Sequence, residues 1–338
     1  MINFRFHIVS LTAVFLAFAV GLVLGTTFLD DATERQLNRQ LDDLDNDLAA
    51  AQRNNTQLQG QLDQFEDEGE ALDAQLGERV LRDTLTDDPV LVVAPHGLEG
   101  EVVERVVEAL QVSGADYVGA WRLTDRLVLD DDGEVSDLAN ALGLPEDADA
   151  DRSRTTLSAR LASALFVAIH AADVDQDMST IAALHDEGFL DYELPEGSDS
   201  DVVVLPPSGL RVVVVTGAGA VVPNDQVLLP TLADLVSDDT APVVVVAPTA
   251  TDEDDPNNVD GIDSLVAEVR DQDDLSERIS TVDDLETTSG RLSTILALQQ
   301  AEPTDPLIGH YGLGAGADEL MPAVLAPEEG DGGEAEEP

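Results

Sequence analysis

Cysteine is absent from the 338 residues, which excludes disulfides, thiolate metal sites and a cysteine nucleophile, and leaves the redox compartment unreadable from thiol usage. Lysine is absent as well: the 16 basic residues are all arginine, set against 70 aspartates and glutamates for a formal charge of -54. A surface of that sign repels nucleic acid and anionic lipid headgroups, so no nucleic-acid partner is expected. Methionine is scarce, three in all, which removes a Met-rich copper motif, and aromatics make up only 4% of the chain. Low lysine and high acidity do not imply disorder here, because 43% of the residues are hydrophobic and their runs are long and regular. The acidity reads as a strongly solvated surface of the kind salt-adapted proteins carry. A chain of this length suits one main domain with appendages.

Charge is missing locally, too, and that absence is positive information. Residues 8–28 contain no ionisable group, and 21 residues at ~1.5 Å rise match a hydrocarbon core of ~30 Å. A transmembrane helix is expected over 8–28, after a short cytoplasmic N-terminus at 1–7. The rival reading, a cleaved signal peptide, has an apolar region of only ~7 to 15 residues followed by a small-residue cleavage pattern that Val23-Leu24-Gly25 matches poorly. Arg5 precedes the span and Asp30, Asp31 and Glu34 follow it, so the positive-inside rule leaves the N-terminus in the cytoplasm and the bulk of the chain outside. The expected location is thus a single-pass protein of the cell membrane. Within the span, Ala13, Ala17, Gly21 and Gly25 recur every four residues. Small residues in such a strip let two helix backbones approach in lipid, which makes this a candidate dimer face.

Beyond the span, Leu37, Leu41, Leu44, Leu48, Ala51, Asn55, Leu58, Leu62, Phe65, Gly69, Leu72 and Leu76 follow one another at alternating steps of four and three. This is a heptad register and predicts a coiled-coil stalk over 32–86. Asn55 at a core position costs stability unless it pairs with its own copy, so the expected arrangement is a parallel homodimer continuous with the membrane strip. Gly69, also a core position, lowers helix propensity by ~1 kcal/mol. From Leu37 to Leu76 the seam rises ~60 Å.

Asp88-Pro89 closes the stalk, and the pattern of the remaining chain changes to alternating strands and helices. Strands are expected at 90–94, 115–123, 211–216, 242–247 and 279–282. Helices are expected at 99–112, 135–142, 155–170, 178–187, 224–235, 262–270 and 285–299. Continuous valine runs such as 212–215 and 243–246 suit strands covered by helices on both faces. The fold class is therefore α/β: a transmembrane helix, a parallel coiled-coil stalk, then a three-layer α/β domain with a mainly parallel sheet over 88–325. A tail at 326–338, rich in Glu, Gly and Pro, is expected to be disordered.

No motif calls for an enzyme. Gly217-Ala218-Gly219 follows a strand, where phosphate-binding loops sit, yet it lacks the third glycine of a dinucleotide fingerprint and the Gly-Lys-Ser/Thr of a P-loop. It reads as a strand-to-helix turn. His7, His96, His170, His185 and His310 have no close metal-ligand spacing. The acidic runs 130–132 and 252–255 lack the twelve-residue ligand pattern of a calcium loop. No catalytic residue, cofactor or metal ligand is assigned. The compact cluster Gly309-His310-Tyr311-Gly312, followed by Gly314 and Gly316, reads as a tight turn packing a tyrosine, with a binding site as the alternative.

The opening from Met1-Ile2-Asn3-Phe4-Arg5-Phe6-His7 through Ala17, continuing to Gly21-Leu22-Val23-Leu24-Gly25, resembles the start of the actinobacterial MctB/SteB family, and Gly309-His310-Tyr311-Gly312 resembles a segment near its end. The stalk and α/β order fit between the two. This resemblance implies a role in copper transport and copper homeostasis, and copper as a ligand on the ground of the resemblance alone; members have been described as channels of the mycobacterial outer membrane. For corynebacterial members it implies another role, a single-pass inner-membrane partner of the cytoplasmic-side protein SteA in envelope assembly and division. A single helical span forms no pore without oligomerising, so the expected mode of action is that of a non-catalytic dimeric scaffold.

Overall fold

In the computed structural model of the chain, the described residues are 6–24, 52–53, 56, 80–98, 101–145, 147–170, 178–198, 200–222, 224–237, 240–248, 265–302 and 306–323. The chain divides into two units, Met1–Gly69 and Glu70–Pro338.

In the first unit, helix α1 spans Phe6–Leu24, 19 residues with no burial inside the chain. At ~1.5 Å per residue it is about 28 Å long, close to a bilayer's hydrocarbon thickness. Of its two hydroxyl residues, Ser10 and Thr12, the latter donates back to the Ile8 carbonyl at 2.8 Å, so that polar group is satisfied within the helix. Ala13, Ala17 and Gly21 lie on α1 at four-residue intervals, and space for a side chain at Gly21 is open. Gly25 lies outside the described residues. So do the stalk positions Leu37, Leu41, Leu44, Leu48, Asn55, Leu58, Leu62, Phe65, Leu72 and Leu76, and the tail over 326–338. Gln52, Arg53 and Thr56, between them, are helical.

In the second unit, alternation along the valine strands builds a sheet with two buried faces. The strands are β1 (Pro89–Pro95), β2 (Asp116–Leu123), β3 (Leu190–Glu193), β4 (Arg211–Val215), β5 (Val243–Val246), β6 (Ser280–Val282) and β7 (His310–Tyr311). Leu91, Val93, Val212, Val214, Val243 and Val245 point into one core, and Val90, Val92, Val213, Val215, Val244 and Val246 into the other. Such strands must be apolar at every position, which is why they read as unbroken valine rather than as alternation.

The sheet order is β3-β2-β1-β4-β5-β6-β7. All neighbours pair parallel except β2 with β3. Helices α3 (Asp132–Ala141), α4 (Ala150–His170), α5 (Ser179–Asp186), α6 (Leu228–Leu235), α7 (Leu265–Asp271) and α8 (Asp273–Ser276) contribute to the first core. Helices α2 (Val102–Val112) and α9 (Thr288–Gln300) contribute to the second. The domain is thus three layers with a mostly parallel mixed sheet. Leu81 and Leu85, just ahead of β1, are buried in the second core, and the Leu85 amide donates to the Ser113 carbonyl after α2 at 3.0 Å.

Arg211 at the start of β4 ties the amino edge together: it donates to the Leu298 carbonyl of α9 and pairs with Asp88 at 3.2 Å. The opposite, carboxyl edge carries the features of interest.

Candidate functional site

Strand order reverses direction between β1 and β4: the chain leaves β1 toward β2 on one side and resumes at β4 on the other. The loops that follow these two strands part in opposite directions, and in open α/β sheets the crevice they leave outside the carboxyl ends is the usual place for a ligand. Here the two loops meet closely. The Val221 amide donates to the His96 carbonyl at 3.0 Å, and the His96 amide donates to Leu123 at the end of β2 at 2.7 Å. Gly97 has φ +79, and a Cβ there would collide with the Gly219 carbonyl, so glycine is needed both for the turn and for the approach.

A cavity of about 430 Å³ opens beside this contact, lined by Gly217, Gly219, Ala220, Val222, Asn224 and Asp225 from the β4–α6 loop and by Glu268 from α7. The Thr216 hydroxyl holds the loop by donating to Asn224 Oδ1 at 3.2 Å. Among the described residues the lining contains two carboxylates and no basic side chain. His96 does not line the cavity; its Nε2 faces Asp191 of β3 at 3.4 Å, both side chains being about half exposed.

Two strands further along the same edge, the equivalent space is filled. Arg270 of α7 and Asp283 after β6 form an ion pair at 2.5 Å with side chains only 5% and 9% exposed. Every polar atom of the pair is used. Arg270 also donates from Nε to the Thr281 hydroxyl (2.8 Å), from Nη2 to the Tyr311 carbonyl (2.9 Å) and from Nη1 to the Ala315 carbonyl (3.0 Å). Asp283 accepts from the Leu313 and Gly314 amides at 2.7 and 3.0 Å. Burial of two charges is tolerated because their remaining donors and lone pairs are satisfied in this way.

Gly309, His310, Tyr311 and Gly312 form this latch. His310 and Tyr311 are β7, and the Asp283 amide donates to the Tyr311 carbonyl at 3.2 Å. Gly312 has φ +125, and a Cβ there would strike the Asp283 carboxylate; a Cβ at Gly309 would strike the Tyr311 hydroxyl. His310 Nδ1 lies 2.9 Å from the Thr281 hydroxyl, which already accepts from Arg270 and so has its hydrogen free for Nδ1. Burial, followed by the neighbouring Arg270 charge, pushes the His310 imidazole below its ordinary value, consistent with a neutral ring accepting at Nδ1.

Next to the latch, Asp284 is fully buried, with the Thr287 and Ser289 hydroxyls 3.1 and 3.0 Å from its Oδ2. Burial raises its carboxyl above the ordinary value; those two hydroxyls oppose the shift, while the charges of Asp283 and Glu286 add to it.

Comparison with known proteins places this architecture. The chain matches the sequence profile described as "Copper transport outer membrane protein, MctB" over residues 1–322. The chain belongs to the MctB family. Relatives named "Copper transporter MctB" include the protein of Mycobacterium tuberculosis (strain ATCC 25618 / H37Rv), 26% identical over 94% of this chain and 98% of that one. The Mycobacterium leprae (strain TN) protein is 26% identical over 95% of this chain and 99% of that one.

The structure distributes the histidines of the chain. His185 Nδ1 lies 2.9 Å from the Leu190 carbonyl and its ring packs on Tyr192 at 4.3 Å; His170 packs on Phe166 at 4.5 Å. His7 is on α1, His96 faces Asp191 of β3 and His310 lies in the latch. Among the described residues no three of His, Asp or Glu converge as metal ligands. The sequence flagged the Gly217-Ala218-Gly219 loop and the Gly309–Gly312 turn, but not their partners Glu268, Arg270 and Asp283. Nothing in a linear pattern connects Arg270 with a turn more than forty residues away.

Proposed function

We propose that this chain is a membrane-anchored, dimeric, non-catalytic protein of the cell envelope that serves copper homeostasis. The profile match over residues 1–322 supports the copper assignment, and it is the observation that carries the reading. Anchoring is supported by α1, whose 19 mostly apolar residues are exposed along its whole length. Dimerisation is supported by the strip Ala13, Ala17, Gly21 and Gly25 and by the leucine register from Leu37 to Leu76 with Asn55 at its centre. In this reading the N-terminus is cytoplasmic, the bulk of the chain lies outside, and copper is cargo rather than a resident cofactor. The sheet of the second unit is buried on both faces and offers no lipid-facing surface, so it acts by recognition and not as a pore wall.

Deleting the gene in its host and measuring cell-associated copper and growth in added copper tests the assignment. Raised copper content and lowered tolerance, restored by the full-length chain, are the expected result; unchanged content and tolerance would refute it. A second reading, a SteB-like scaffold that partners a SteA-like protein in envelope assembly and division, is favoured by the distribution of the histidines, which leaves copper no converged ligand set among the described residues. In that case deletion alters cell shape or septation at normal copper tolerance. The dimer has its own test. Because the chain has no cysteine, Leu48→Cys in membranes introduces a single thiol, and a disulfide-linked pair under mild oxidation is expected.

A further inference from the structure

The approach to β4 contains an extended segment without a pairing partner. Over residues 202–205 exposure alternates with a period of two: Val202 and Val204 are 44% and 65% exposed, while Val203 and Leu205 are buried at 2% and 5%. That period marks extended backbone with one apolar face in the core and one turned out. The inner face is seated on β2. Strand β3 pairs with residues 120–123 of β2, and Val203 packs just short of that pairing, at Gly119, where a Cβ would come within 2.9 Å of both Val203 and the Glu193 carbonyl. Among the described residues, no group pairs with the backbone amides or carbonyls of Val203, Val204 and Leu205. On either side the backbone is tied down. The Val202 amide donates to the Ser200 hydroxyl and its carbonyl accepts from it, and the Gly209 and Leu210 amides donate to the Ile169 and Ala168 carbonyls. Between these ties lies a short free edge beside two exposed valines, and edges of this kind recruit another strand.

Two prolines narrow the occupant. Pro206 and Pro207 have no N–H to give. A second copy of the segment, laid antiparallel with Val204 facing Val204, puts residues 203 and 205 of the two copies in hydrogen-bonded pairs. Pro206 then falls opposite Val202 at a non-hydrogen-bonded position, where its missing donor costs nothing, and Pro207 ends the ladder. Val202 and Val204 of both copies join into one apolar strip. The same register answers the charge of -54. Each exposed Asp201 lies opposite Pro207 of the other copy, so the two carboxylates stand six residues apart, ~20 Å along the strands and beyond the Debye length of ~8 Å. So few residues a side bury far less than the ~800 Å² per partner of a stable interface, and the pairing needs a tether. The chain supplies one at the amino edge. Leu81 and Leu85 enter the domain there, and Asp88 pairs with Arg211, at the end of the approach that carries residues 202–205. Two chains joined ahead of this entry hold their free edges at an effective concentration on the order of mM.

We infer that residues 203–205 are a docking edge for a second copy of this chain, paired antiparallel about Val204. The inference takes its tether from the dimeric reading above, yet the two fail separately. The test uses the full-length chain in membranes under mild oxidation, with Val204→Cys and Val202→Cys each introducing the only thiol at an exposed site. Residues that face each other across antiparallel strands have Cα atoms ~4.5–5.5 Å apart, within reach of a disulfide. The two copies of residue 202 stand four residues apart, ~13 Å along the strands, and out of reach. Disulfide-linked dimer from Val204→Cys is therefore expected to exceed that from Val202→Cys about tenfold. Equal linkage at the two positions, or none at 204 while Leu48→Cys links, overturns the pairing and leaves the dimer standing. Absence of linkage at both 204 and 48 overturns both readings. Linkage at 204 without linkage at 48 keeps the pairing and removes the stalk from the dimer. A mixed disulfide of Val204→Cys with a different protein, in place of the dimer, would give this edge to a partner's strand and overturn self-pairing.

Discussion

The carboxyl edge of one sheet has been finished in two ways. Beside β4 the loop backs away and leaves a cavity rimmed by carboxylates; beside β6 and β7 the turn folds in and fills the space with an ion pair. Both ends use aspartates, glycines and one residue of α7, so composition does not distinguish them. The difference lies in whether an arginine is present to neutralise the acid. Where Arg270 meets Asp283, seven hydrogen bonds close the edge. Where no base lines the wall among the described residues, Asp225 and Glu268 border a cavity instead.

The closed end is easiest to break. Replacing Arg270 by alanine leaves the Asp283 charge buried and unpaired, and a loss of about 3–5 kcal/mol is expected, read as a large fall in unfolding temperature of the detergent-solubilised chain. Gly312→Ala, which drives a methyl into the Asp283 carboxylate at a left-handed φ, is expected to cost about 1–3 kcal/mol in the same assay.

Titration separates two groups of the closed end by sign. His310 is held below its ordinary 6.5 in the fold, so its contribution is present above pH 6.5 and is lost as the pH falls toward the folded value. Asp284 is held above its ordinary 3.8, so its contribution is complete below pH 3.8 and is lost as the pH climbs through the folded value. Stability measured from pH 7 down to 5 should therefore decline less steeply in His310→Asn. Asp284→Asn should gain on the parent as pH rises above 4. The smallest effect belongs to the open end: Asp191→Asn removes only a half-exposed partner of His96, and a change of at most about 1 kcal/mol is expected.

Legibility in the sequence followed the same division. Valine runs betrayed β1, β4 and β5, because strands buried on both faces have no freedom to be polar, and the helices between them announced themselves through their spacing. Strand β3, Leu-Asp-Tyr-Glu, escaped notice: it is four residues long, partly exposed and reversed at the sheet margin, so no pattern constrains it. Strand β7 is two residues and is defined by what Asp283 and Arg270 do to it. Helix α4 starts at Ala150, five residues ahead of the helix expected at 155–170, inside an acidic stretch. Its first turn carries Asp151, and the Asp149 carboxylate accepts from the Arg152 amide, so acid there is a helix-start signal. The glycine loops were visible as loops; that one lines a cavity and the other plugs an edge depends on α7, a helix whose residues look ordinary in the chain.

Seven residues of α7 thus serve both ends at once. Glu268 reaches the crevice and Arg270, half a turn on, grips the C-terminal turn. So short a helix is stiff, and tilting it to draw Glu268 toward an occupant necessarily pulls on the anchorage of residues 310–315. Any change that shifts this helix therefore reaches both margins of the edge together, and a reporter placed on residues 310–315 is the place to read it.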